Sequence, residues 1–188
     1  MIKFIYILLS FAVSFNAYSL EVTLTEGSIK PTPIAITNFF STNSNLEKLG
    51  KNISNVISDN LERSGLFFPL DKKSFIQNNE SLSDMPRFED WKLIKAQHLV
   101  AGKITGSNGK ISVEFRLYDV FQQKQLVGKK YQTNEKNWRR VAHIVADSIF
   151  KSITGEGGYF DTRIVYVAET GPKENKQKRL AIMDQDQS

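Results

Sequence analysis

The chain has no cysteine, only two histidines, three methionines, two tryptophans and five prolines in 188 residues. Without cysteine there is neither a disulfide framework nor a thiolate metal site, so stability must come from an apolar core. The two histidines, His98 and His143, stand in no HExxH or comparable ligand spacing, so no metal is expected. Phosphate-cradling glycines are absent. Gly102 and Gly106 do not make GxGxxG, and Gly155–Gly158 follows a helical pattern where a phosphate loop would precede one. There is no GxSxG nucleophile elbow. The carboxylates Asp59, Glu62 and Asp147 lie on two separate helical patterns and are read as solvating helix faces or pairing with lysines. Trp91 and Trp138 are read as core anchors. No catalytic residue, cofactor or enzyme activity is expected.

A basic stripe is missing as well. The formal net charge is +5, but Lys and Arg are interleaved with Asp and Glu. The densest basic pairs are Lys129-Lys130 and Arg139-Arg140, which excludes the focused patch of a nucleic-acid site.

What is present begins with Lys3 and an apolar run from Phe4 through Val13, followed by Ala17-Tyr18-Ser19. This is the pattern of a cleavable export signal, 1–19, with cleavage after Ser19. The run is too short for a span of roughly 20 residues, and no membrane insertion is expected after cleavage. The exported chain starts at Leu20. At 40% hydrophobic residues it can bury a core.

Glu21–Glu26 alternates, with Val22 and Leu24 on one side and Thr23 and Thr25 on the other. Two readings stay open for it: an edge strand of its own sheet, or an arm, 20–32, that pairs with another protein's sheet edge. Pro33–Phe40 reads as a buried strand. Ser44 and Glu47 form a capping box, followed by Leu46, Leu49, Ile53, Val56, Ile57 and Leu61 at helical spacing. Gly65 stops that helix. Leu66–Leu70 is a short strand, placed at an edge by Pro69. Asp71–Pro86 reads as a loop with a turn of helix, and Phe88–Ala96 as a short helix.

His98–Thr105, Ile111–Val120 and Gln125–Thr133 read as three antiparallel strands. Asn108-Gly109 makes the first turn, because this pair takes positive φ cheaply. A second long helix starts near Asn134, with Trp138, Val141, Val145, Ile149 and Ile153 on one stripe, and ends at Gly155. Two amphipathic helices each need a sheet face to cover. The fold expected over 33–155 is therefore α/β, a mixed sheet of about five strands with two main helices packed on it. Phe160–Glu169 and Leu180–Met183 read as two further strands, in a segment 156–188 that opens on a glycine-rich hinge. Two strands alone are marginal in water, so this segment reads as the start of a second, all-β domain.

Taken in order, the markers resemble the TolB family of the Tol-Pal system of Gram-negative bacteria. They are Glu21–Glu26 with Pro31, Pro33–Phe39, Asp59–Phe67, Trp91, Val100–Ile104 and Tyr118-Asp119-Val120. His143–Ile149, Thr154-Gly155-Glu156 and Phe160–Val167 complete the set, which covers essentially the whole exported chain. The resemblance implies a periplasmic protein with an N-terminal α/β domain followed by a six-bladed β-propeller, of which 156–188 holds only the first strands. It implies that the arm, carried onto Glu21, Val22, Thr23, Leu24, Thr25 and Glu26, binds the C-terminal domain of TolA. It implies that Pal binds the propeller, so Pal is expected as a partner only if a propeller is supplied elsewhere. The implied role is to support outer-membrane invagination during cell division and envelope integrity. Two other readings stand beside it: a periplasmic small-ligand-binding module, and a non-functional fragment of a disrupted gene.

Overall fold

The structure, a computed structural model, describes residues 30–77 and 85–186. Glu21–Glu26 and the export signal lie outside the described residues. Five strands form one mixed sheet: β1 (Thr32–Ile36), β2 (Phe67–Pro69), β3 (His98–Ser107), β4 (Lys110–Asp119) and β5 (Lys124–Asn134). Their spatial order is β2-β1-β3-β4-β5. β1 pairs in parallel with both β2 and β3, while β3–β4 and β4–β5 are antiparallel.

Three helices connect them. α1 (Ser44–Arg63) joins β1 to β2, α2 (Phe88–Leu93) joins β2 to β3, and α3 (Trp138–Thr154) follows β5. The strand alternation sorts the core into two layers. Ile34 and Ile36 of β1, with Val100 and Ile104 of β3, pack under α1 and α3. Ala35, Leu99 and Ala101 face the other way, against Phe88 and Trp91 of α2. The two long helices therefore share one face, and the short one covers the other.

Local expectations hold where nearest neighbours decide them. Asn108 and Gly109 take φ of 53° and 73° at the β3–β4 turn, and Gly65 and Gly155 are left-handed at φ 73° and 80°. β2 is an edge strand ending at Pro69. Lys72–Ser74 forms the turn of helix expected in the loop.

Some boundaries differ. The N-cap of α1 is Asn43, not Ser44: the Asn43 Oδ1 accepts from Asn45 N at 3.0 Å. This moves Glu47 one place beyond the third helical position, so no capping box forms. β1 ends at Ile36, and Phe40 rejoins the sheet by a single parallel bridge to Lys103. Asp147 meets no lysine among the described residues and does not stand out as a solvated helix face. Its Oδ1 and Oδ2 accept from the backbone amides of Phe160 and Asp161 at 2.7 and 3.0 Å, pinning the chain after α3 onto α3. Phe160 is accordingly 1% exposed, within the α/β core.

β6 (Arg163–Thr170) and β7 (Gln177–Asp184) form a second, antiparallel sheet of two strands, as the resemblance implies. Val165, Leu180 and Ile182 on it are exposed.

Candidate functional site: the arm root and the joint between the sheets

The segment expected as an arm, 20–32, meets the described residues at the amino end of β1. Lys30 and Pro31 are exposed, and Thr32 N donates to Leu66 O at 2.8 Å, closing the strand against the chain leaving α1. Residues 21–26 themselves lie outside the described residues, and the fold defines the root from which they depart.

The C-terminal turn of α1 that borders this root also carries a buried polar group. Asn60 is 0% exposed on the stripe that otherwise holds Ile53, Ile57 and Leu61. Its Nδ2 donates to the Nδ1 of His143 on α3 at 2.8 Å, and its Oδ1 accepts from Arg63 Nη2. With Nδ1 accepting, the imidazole carries its proton on Nε2. That nitrogen lies 3.5 Å from Asp186 Oδ2, just past β7. Arg139 supplies the counter-charge, with Nη2 and Nε at 2.6 and 3.0 Å from the same oxygen. Arg63 Nη1 reaches the Gln185 carbonyl at 3.4 Å, and Arg140 pairs with Asp161 at 3.3 Å. The two long helices are thus tied to the end of the second sheet through Arg63 and Arg139, with His143 beside them.

His143, Asp184 and Asp186 each place one ligand-type atom within 4.8 Å of the others. Arg139 already neutralises Asp186 in this group. Burial holds His143 below the usual imidazole pKa, outweighing Asp186 and Asp184, which act the other way, while Arg139 reinforces the lowering. The contact with Asp186 is therefore one between a neutral ring and a carboxylate. His98, opposite Asp119 where β3 begins, is also held low, by burial first and against the pull of Asp119.

These two imidazoles set a pH dependence. Folded, both stay neutral below 6.5; unfolded, both take up a proton near 6.5. The unfolded chain binds more protons below that point, so their stability contribution is complete above pH 6.5 and is lost as pH falls towards the folded values. The slope cannot exceed about 1.4 kcal/mol per pH unit for each ring. The urea midpoint is expected to be level near pH 7 and to fall between pH 6.5 and 5. A midpoint unchanged down to pH 5 would show that both rings protonate in place.

Sequence reasoning names His143 and Arg139-Arg140 but joins neither to a partner. Asn60 enters it only as part of the Asp59–Phe67 marker. A signal is present: a polar residue at Asn60 in step with Ile53 and Ile57, and another at His143 between Val141 and Val145, which sit 5% and 0% exposed. Two buried polar groups on two helices sharing one sheet face are candidates for each other.

The fold and the joint define the class, a mixed α/β domain tied through its helices to a separate β unit. A family model described as the TolB amino-terminal domain matches residues 20–126. The Tol-Pal system protein TolB of Paramagnetospirillum magneticum is 52% identical over 167 residues, covering 88% of this chain and 37% of that protein. The crystal structure of TolB from Acinetobacter baumannii matches with a TM-score of 0.69 at 26% identity, over 84% of this chain and 37% of that one. The chain belongs to the TolB family, and it spans about 37% of the length of these relatives. No helix among the described residues is long and apolar enough to cross a membrane.

Proposed function

We propose that this chain is a periplasmic, non-catalytic component of the Tol-Pal cell-envelope system. It binds the C-terminal domain of TolA through Glu21–Glu26 and thereby supports outer-membrane invagination during division and envelope integrity. Family membership supports the system, and the exposed root at Lys30 and Pro31 supports the arm. A short alternating segment ahead of β1 can pair its backbone with a partner's sheet edge, while alternate side chains such as Val22 and Leu24 give selectivity. Pal is the partner proposed for the propeller, of which β6 and β7 would be the opening strands.

Calorimetric titration against a purified TolA C-terminal domain tests this reading. The expected result is a Kd of about 1 μM or tighter, abolished by deleting Glu21–Lys30 while circular dichroism stays that of the folded domain. Unchanged affinity after the deletion would overturn the arm assignment. Absence of binding by the intact, folded chain would overturn the function.

A further inference from the structure

The carboxyl ends of β1 and β2 hold a feature that the arm and the joint do not use. These neighbouring parallel strands send their connections to opposite faces of the sheet, β1 to α1 on one side and β2 to α2 on the other. Such a divergence leaves a crevice beyond the strand ends, the usual place for a ligand in open α/β sheets. Here it is a cavity of ≈ 730 Å³, within the range that accepts a small molecule. It lies at the far end of β1 from the arm root.

Its walls are basic and partly aromatic. Lys48 and Lys51 project from α1, one turn apart, and Lys72 enters from the loop after β2. Among the described residues, Glu47 is the one carboxylate in the lining. Neither Lys48 nor Lys51 has an ion-pair partner among the described residues. Phe40 and Phe75 add apolar surface.

Lys72 is a fixed charge. Its Nζ donates to Asn38 Oδ1, Ser54 Oγ and Asn55 Oδ1 at 2.8, 2.9 and 2.8 Å. All three protons are used, so it acts on a ligand through its field, leaving direct contacts to the unpaired Lys48 and Lys51. Burial, then Lys51, lower its pKa to about 8, with Asp59 opposing. A cation held against desolvation and a like-charged neighbour is relieved by an anion beside it.

We infer that this cavity is a binding site for a small anion, one carrying a phosphate or carboxylate group on an apolar or aromatic body. Lys48 and Lys51 grip the charged group, Lys72 supplies positive potential from behind, and Phe40 and Phe75 take the apolar part.

The probe is phenyl phosphate, titrated into the ¹⁵N-labelled chain and followed by amide shifts, with inorganic phosphate and benzoate as separate arms. Phenyl phosphate is expected to shift amides of Thr37–Ser44, Lys48–Lys51 and Lys72–Gln77, saturating near about 1 mM. Tighter binding of benzoate than of phenyl phosphate would assign the site to carboxylates, and a weaker benzoate response would assign it to phosphates. Lys51→Gln, an exposed position, should weaken binding about ten-fold through loss of a charge-assisted hydrogen bond, and Lys51→Arg should retain it. Lys129→Gln on β5 should change nothing. Because phenyl phosphate remains an anion above pH 7, raising pH from 7 to 9 should weaken binding several-fold as Lys72 loses its proton against Lys51, Glu47 and Asp59. No shifts up to about 10 mM, shifts centred on Lys124–Lys130, or affinity unchanged by Lys51→Gln would each overturn the inference.

Discussion

Adding one methyl group at Gly102 is expected to lower the melting temperature by about 6–12 °C, although alanine is chemically mild and sheets accept it. A Cβ at Gly102 would stand 2.3–2.4 Å from three atoms of the Phe39 ring. Real carbon contacts need about 3.5–4.0 Å. Phe39 is 1% exposed and cannot swing aside. From the other side Gly50 of α1 lies against it, with a Cβ there falling 2.1 Å from the Phe39 carbonyl oxygen. The phenylalanine is clamped between a bare strand position and a bare helix position. Overpacking of this kind costs about 3 kcal/mol, and a chain of this size loses about 2–4 °C per kcal/mol.

Gly50→Ala is the sharper test, because two effects oppose. Helix propensity favours alanine by about 1 kcal/mol, whereas the clash with a backbone oxygen requires α1 to shift off the sheet. Packing outweighs propensity at this position, so Gly50→Ala should also destabilise. Thermal unfolding of both variants checks this, and a stabilised Gly50→Ala would mean that α1 does not approach Phe39 as described.

Replacing Asn60 with leucine should cost about 2–3 kcal/mol, even though the site is fully buried and the substitution adds apolar surface. The reason is what it leaves behind. His143 loses the donor to its Nδ1 while 2% exposed, and Arg63 loses the Asn60 oxygen. A buried acceptor without a partner costs its whole desolvation, about 1–3 kcal/mol, while removing both partners of a pair can be nearly neutral. Asn60→Leu combined with His143→Leu should therefore be more stable than Asn60→Leu alone. Denaturant midpoints of the two singles and the double complete the cycle. Strictly additive losses would show that the two side chains do not share a hydrogen bond.

The two long helices, their glycine stops, the Asn108-Gly109 turn and the alternation of β4 are all legible in the sequence. So is the edge position of the strand carrying Pro69. Each is decided within a few residues by φ preferences, periodicity or a missing amide. The cap of α1 falls one residue from its expected place because Asn43 and Ser44 are both capping residues, and only the backbone geometry at Asn43 separates them. Glu21–Glu26 alternates in the sequence but lies outside the described residues; the structure fixes only where the chain after it joins the sheet, at the Thr32–Leu66 hydrogen bond.

Distance along the chain marks what the sequence leaves open. Composition and local pattern determined the fold class, the lack of a disulfide framework and most element positions. The order β2-β1-β3 with parallel pairing, the meeting of Asn60 with His143 83 residues away, the Asp147 clasp on Phe160 and the three acceptors around Lys72 were decided only by the tertiary structure. Nothing near Asn60 in the chain names His143, and nothing near Lys72 names its three acceptors. Those contacts form only once the helices have settled on the sheet, because the hydrophobic burial that places them fixes faces and layers but not which polar groups must then satisfy one another.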